Sequence, residues 1–307
     1  MKIRFLTYNL AMLPDPFGKA KEKRAEEFVK KIIKKPVYDI ICLQEIFAEE
    51  IREYLTRRLQ ANYPYIVDKS GGPNPLNQDS GLFFASKFPI LRHTFREFHH
   101  KSFFTPDKIA DKGILAARFE FGPAADAAAA ATLRVFLTHL QSRNSEFKTR
   151  EKQLAQLRRF ITQSSTPGKN RKNPAKIYTI LLGDFNVTGD NGEEYKKMLD
   201  LLDYPRDLCR EKNPKKKDFT WNSQKNLFIK NVYEDDNDMQ RLDYIFSYDH
   251  IPYASKHQQH ENVKLGKVVC HSCGIFKPKL SGNPGELPGK CDLSDHYGIE
   301  AVIEIPG

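Results

Sequence analysis

Long apolar-rich runs, separated by amphipathic and breaker-rich segments, set the hydrophobic pattern of the chain. Residues 38–46, 133–142 and 177–186 are rich in apolar side chains, which predicts buried strands. Ile3 and Phe5 alternate with Arg4 and predict a half-covered strand ending at Tyr8-Asn9. Further strands are expected over 80–86, 90–98, 114–121 and 297–305, with strand edges at 219–221 and 240–246. Apolar positions three and four apart predict helices over 19–35 (Phe28, Val29, Ile32, Ile33), 49–60 (Ile51, Tyr54, Leu55, Leu59) and 144–164 (Phe147, Leu154, Leu157, Ile161). An acidic helix is expected over 192–202. Prolines and glycines mark 10–18 as loop, 64–78 is a polar loop ending in a breaker run, and the alanine-rich 124–131 reads as a hairpin connection. Helices are too few for one to follow every strand. The expected fold is therefore α/β, with two mixed β-sheets packed face to face and helices outside, as one domain.

The polar residues that interrupt this pattern cluster at strand ends. In Gly183-Asp-Phe-Asn186, Gly183 lets the backbone turn, and Asp184 and Asn186, two apart, would share one face of an extended chain. Asp184 can align or deprotonate a water, and the Asn186 amide can donate to a phosphoryl oxygen without adding negative charge. An ordinary turn also uses Gly, Asp and Asn. Asn9, Glu45, His139, Asp243 and the pair Asp295-His296 stand at comparable ends. Singly, each has a plain reading: a salt-bridged glutamate, a structural histidine, or, for Lys112 in Asp111-Lys-Gly113, a surface turn in place of a phosphate contact. Together they point to one crevice, because strand ends along one edge of a sheet converge. The set lacks the His or Cys pairs that zinc prefers and offers hard carboxylate and amide oxygens. It suits Mg²⁺, with Mn²⁺ or Co²⁺ able to substitute, holding waters and a substrate phosphate oxygen.

These residues, matched in order from Asn9 to His296, resemble the signature of the endonuclease/exonuclease/phosphatase superfamily. Gly183-Asp-Phe-Asn186 and Ser294-Asp-His296 are the most telling motifs. The resemblance implies a four-layer α/β sandwich and metal-dependent phosphoester hydrolysis. Carried over by position, Glu45 would bind the metal with Asn9 beside it, and Asp295 would help hold a metal or its water. Asp184 would orient or activate the attacking water, while Asn186 and His139 would stabilise charge on phosphoryl oxygens. His296 would serve as acid or base, aligned by Asp243, and Lys112 would contact substrate. Within the superfamily the chain is most similar to neutral sphingomyelinases, through Asn9-Leu-Ala-Met-Leu-Pro14, Ser80-Gly-Leu, Ala85-Ser-Lys-Phe-Pro-Ile90, Asp111-Lys-Gly113, Thr138-His-Leu-Gln141 and Leu293-Ser-Asp-His-Tyr297. That likeness implies hydrolysis of sphingomyelin to ceramide and phosphocholine.

Charge keeps an alternative in view. The 307 residues carry 49 Lys and Arg against 39 acids, a net charge of +10, which favours an anionic partner: a phospholipid membrane surface or nucleic acid. A nuclease, or a binding protein that keeps the fold without chemistry, are the competing readings; the competent residue types at every matched position oppose the latter. No apolar segment approaches bilayer length and no signal-peptide core opens the chain, so a soluble monomer is expected, secreted or peripheral to a membrane in the cytoplasm. Phe103 and Phe104, in the basic loop 99–106, could anchor to lipid or pack into the core. Of 5 cysteines, Cys270, Cys273 and Cys291 cluster late. They are expected to be free thiols or to form one disulfide, with zinc, aided by His257 or His260, as the other possibility.

Overall fold

Strands and helices follow one another in the order expected, with additions near the edges. The computed structural model describes residues 1–71, 79–102, 110–122, 131–165, 176–189, 192–233, 238–252, 265–280, 287 and 291–306. The first half comprises β1 (Lys2–Met12), α1 (Lys21–Lys34), β2 (Ile40–Ile46), α2 (Glu49–Leu59), β3 (Tyr65–Val67), β4 (Phe83–Ser86), β5 (Arg92–Glu97), β6 (Gly113–Phe121) and β7 (Ala131–His139). The second comprises α3 (Phe147–Ser165), β8 (Lys176–Asp184), α4 (Gly192–Leu201), β9 (Arg206–Asp207), α5 (Leu208–Lys212), β10 (Trp221–Asn222), α6 (Leu227–Val232), β11 (Met239–Gln240), β12 (Asp243–Tyr248), β13 (Val269–Phe276) and β14 (Gly298–Glu304).

Two six-stranded sheets result, ordered β13-β14-β1-β2-β4-β3 and β5-β6-β7-β8-β12-β9. Each is mixed: β1 runs parallel to β2 and β7 parallel to β8, whereas their other neighbours are antiparallel. The apolar-rich runs are explained by what covers their two faces. Ile3, Phe5, Ile40, Cys42 and Phe84 of the first sheet meet Leu133, Val135, Leu137, Ile180, Leu182 and Ile245 of the second in a core between the sheets. The intervening residues face outward under helices. Leu6, Tyr8, Ile41 and Leu43 lie with Phe28, Val29 and Ile32 of α1 and Leu55 and Leu59 of α2. Phe136, Leu181 and Phe246 lie with Leu154, Leu157 and Ile161 of α3 and Met198 of α4. Both faces of each central strand are apolar for this reason, and the result is the four-layer α/β sandwich.

The differences from expectation lie where burial is one-sided. The stretch 64–78, expected to be loop, contributes the edge strand β3, whose Tyr65 is exposed. The stretch between 250 and 293 contributes β13, an edge strand of mostly intermediate burial with an irregular register at Cys270/Ser272. At three residues β3 is too short to show a period, and β13 does not alternate. The first strand does not end at Asn9 but continues to Met12 through a register shift between those two residues. Cys273 is disulfide-bonded to Cys209 of α5, while Cys42, Cys270 and Cys291 are free. The expected late cluster is thus split by a partner 64 residues away in sequence. Among the described residues no cysteine belongs to a group placed to hold a metal, and His257, His260, Phe103, Phe104 and residues 124–130 lie outside the described residues.

Gly183 joins the fold to its chemistry. Its φ is 132°, and a Cβ there would stand 2.0 Å from the Thr138 carbonyl oxygen of the neighbouring strand. Only glycine lets β8 approach β7 this closely just before Asp184. Gly183→Ala should therefore destabilise the protein by roughly 2–4 kcal/mol; a chemical denaturation midpoint equal to that of the wild type would contradict this packing.

Candidate active site

Ladder register delivers three side chains to one place. His139 is paired with Asp184 in the parallel β7–β8 ladder, and Asp243 is paired with Asp184 across β8–β12. From the other sheet come Asn9, opposite Gln44 in β1–β2, and Glu45, the next residue of β2. The site therefore spans the ends of both sheets. Asn9 bridges them: its Nδ2 donates to Glu45 Oε1 at 2.9 Å and to Asp184 Oδ2 at 3.0 Å. Its Oδ1 accepts the Ala11 N–H at 3.0 Å, so its nitrogen, not its oxygen, faces the two acids. His139 Nε2 lies 3.5 Å from Glu45 Oε1 and 3.7 Å from Asp184 Oδ2. His296 Nε2 lies 3.6 Å from that same Asp184 oxygen, and its Nδ1 donates to Asp243 Oδ2 at 2.9 Å.

The backbone is strained around this cluster. Ala11, Glu45 and Asn186 have φ of 48°, 59° and 51°, the left-handed region that non-glycine residues avoid. Asn186 is therefore not on an extended chain sharing a face with Asp184, as the spacing of two suggests. The chain instead folds back so that the Asn186 N–H donates to Asp184 Oδ1 at 2.9 Å and Asn186 Nδ2 donates to the Leu140 carbonyl at 3.1 Å. Lys112, in place of capping a surface turn, is buried; its Nζ donates to the Leu140 carbonyl at 2.9 Å and stands 3.1 Å from His139 Nε2. Asp295 accepts from Tyr233 Oη at 2.9 Å and from Ser294 Oγ at 3.1 Å.

Several supporting residues escape a reading of the sequence. Thr220 Oγ1 accepts the N–H groups of Leu242 and Asp243 at 2.9 and 3.2 Å, and the Thr220 carbonyl accepts from Tyr297 N at 2.7 Å, tying the Asp243 strand to the His296 segment. The Trp221 ring meets His296 edge-on at 5.4 Å and Tyr233 at 5.8 Å. Asn226 caps α6 through Phe228 N and Ile229 N while its amide donates to the Ser294 and Asp295 carbonyls. An Asn before Leu-Phe-Ile is a legible helix start; its second task is set by tertiary contact alone.

Burial dominates the electrostatics. Desolvation, with the charge of Asp295 adding to it, pushes the Glu45 carboxyl up to about 7. Desolvation pushes Asp184 up to about 6, with His296 opposing the rise and Asp243 assisting it. For His296 burial opposes the charged form, but the carboxylates of Asp243 and Asp184 outweigh it and hold the imidazolium well above the usual histidine range. Crowded acids that resist ionisation are what a cation would relieve. Glu45, His139 and Asp184 offer donor atoms within 4.8 Å of one another, and so do Asp184, Asp243 and His296. Each group offers two carboxylates and one imidazole, a donor set able to hold a divalent cation and without the Cys and His set of a structural zinc site.

A model of the endonuclease/exonuclease/phosphatase family matches residues 6–296. The chain belongs to that family. A sphingomyelinase of Dictyostelium discoideum is 26% identical over 87% of this chain and 72% of its own length. Other curated relatives, among them sphingomyelin phosphodiesterase 5 of Danio rerio, are matched over only 16% to 39% of their own length. Among solved structures, a beta toxin mutant from Staphylococcus aureus with bound magnesium ions superposes with a TM-score of 0.71 at 21% identity, covering 98% of this chain and 99% of that one. TDP2 of Danio rerio complexed with a single-strand DNA product superposes at 0.63 with 18% identity, covering 99% of each chain. The similarity extends over the fold of this family member, and among its described residues no helix is long and apolar enough to cross a membrane.

Linkage gives the site a pH signature. Glu45, Asp184 and His296 all hold a proton more tightly folded than unfolded. Their contribution to the stability of the metal-free fold is greatest below about pH 4, the ordinary carboxylate range. It is lost as pH rises through about 6 and 7 for the two acids and higher for the imidazole. A divalent cation needs those acids ionised. Millimolar Mg²⁺ should raise the melting temperature clearly at pH 8 and little at pH 5.5, and Glu45→Gln should flatten that difference. Equal shifts at both pH values would contradict it.

Proposed function

We propose that this family member is a Mg²⁺-dependent phospholipid phosphodiesterase that hydrolyses sphingomyelin to ceramide and phosphocholine. The convergence of Asn9, Glu45, His139, Asp243 and His296 on Asp184 supports the chemistry. The likeness to a sphingomyelinase across 87% of the chain supports the substrate.

Glu45 would hold the ion with Asn9 beside it, and Asp295, whose oxygens are engaged by Tyr233 and Ser294, would act on it through a water. When bound, the cation would draw charge from the phosphoryl oxygens and make attack on an anion feasible. Asp184 would orient the attacking water. The second N–H of the Asn186 amide, with His139 and Lys112, would donate to the non-bridging oxygens as charge builds in the transition state. His296 would move the proton between water and leaving alcohol. The Asp243 carboxylate would fix its tautomer by accepting a hydrogen bond from Nδ1–H, leaving Nε2 as the atom that exchanges a proton. The nuclease reading rests on the net charge of +10 and would require a steep loss of activity with salt.

Sphingomyelin vesicles with Mg²⁺ should release phosphocholine, and chelator, Glu45→Ala or His296→Ala should abolish the release. Chelator-sensitive DNA cleavage with no turnover of any choline phospholipid would decide for the nuclease. Asp243→Asn should preserve the fold but lower kcat by about 10²–10⁴-fold through the wrong imidazole tautomer; a wild-type kcat would remove Asp243 from the mechanism.

A further inference from the structure

Among the described residues, Arg24 and Arg150 head the fully buried side chains by size. A guanidinium taken out of water is normally stabilised by a carboxylate, yet the hydrogen bonds of Arg24 end on main-chain carbonyls. Nε donates to Lys19 O at 2.8 Å, Nη1 to Leu10 O at 2.7 Å and Leu293 O at 2.9 Å, and Nη2 to Ala11 O at 2.8 Å. The Phe228 ring lies under it, 4.6 Å from the guanidinium carbon.

The four acceptors belong to three segments: the approach to α1, the irregular end of β1, and the turn that carries Ser294, Asp295 and His296. Ala11 is the link to the first half of the site. Held at a φ of 48°, it turns its carbonyl to Arg24 and its N–H to Asn9 Oδ1, and Asn9 in turn grips Glu45 and Asp184. Leu293 is the link to the second half. It precedes Ser294, whose Oγ donates to the Asn9 carbonyl at 2.7 Å and accepts the His296 N–H at 3.3 Å. One planar fork thus spans the loop that aims Asn9 and the loop that aims Asp295 and His296.

We infer that Arg24 is a positioning residue for catalysis, fixing the separation between the Asn9–Glu45 half of the site and the Asp295–His296 half from behind, without touching substrate. Lysine preserves the charge, but its single nitrogen cannot hold four carbonyls spread over three segments. The inference is independent of which diester is hydrolysed, so its test uses a small soluble aryl phosphodiester, whereas sphingomyelin vesicles test the proposed substrate.

Arg24→Lys and Arg24→Gln should be assayed well below their melting midpoints, each checked for native circular dichroism. In the folded variant, kcat on the soluble diester should fall by about 10–100-fold with KM within about twofold. Mn²⁺ affinity, read by calorimetry on the unliganded protein, should weaken by about tenfold, as loss of support behind metal ligands does. A native-like variant that melts lower yet keeps wild-type kcat and Mn²⁺ affinity would overturn the inference, because a purely structural arginine would move only the melting temperature.

Discussion

A neutral amide holds the buried Asp184 and the half-buried Glu45 together across the junction of two sheets, and the rest of the site is arranged around that contact. Asn9 Nδ2 supplies hydrogen bonds to both Glu45 and Asp184. The alternative of two carboxylates approaching without a donor between them would be opposed by repulsion and by desolvation at once. The same amide cannot drift, because its oxygen is engaged by the Ala11 N–H. Placement of the acids thus depends on a short irregular stretch of backbone at the end of β1, and that stretch in turn is held by a buried guanidinium.

The electrostatic design follows from this geometry. Asp184 and two groups beside it are shifted in protonation: the Glu45 and Asp184 carboxyls are pushed up by burial, and the His296 imidazolium is held by the carboxylates around it. Crowded carboxyls of this kind are ones that a nearby positive charge would stabilise in the ionised form. Lys112, buried beside His139, brings its amino group to the same cluster.

The sequence made the layers legible because the central strands are apolar on both faces, and 133–142 and 177–186 have no other economical interpretation. It also made most of the candidate site legible, since Glu45, His139, Asp184, Asp243 and His296 stand near the ends of apolar stretches and Asn9 interrupts one. What it could not convey depends on register and on backbone reversal. Nothing local says that Asp243 lies opposite Asp184, or that Asn186 turns left-handed and spends one amide hydrogen on Leu140. The Cys209–Cys273 link was hidden by distance along the chain, and β13 by an edge position that demands no hydrophobic pattern. Arg24 resembled one more charge on a basic helix until its burial was known.

The Leu140 carbonyl accepts from both Lys112 and Asn186, and this determines how the protein can vary. The acceptor is an oxygen that every amino acid possesses, so the genetic code cannot delete it by a missense change at codon 140. The leucine side chain, fully buried in the core beneath the second sheet, is answerable only to packing, while the oxygen above it is answerable to chemistry. Substitution at this position should therefore behave as a core replacement, graded by volume. Loss of the acceptor itself would require a change in the path of the chain, such as an insertion or deletion between His139 and Gln141.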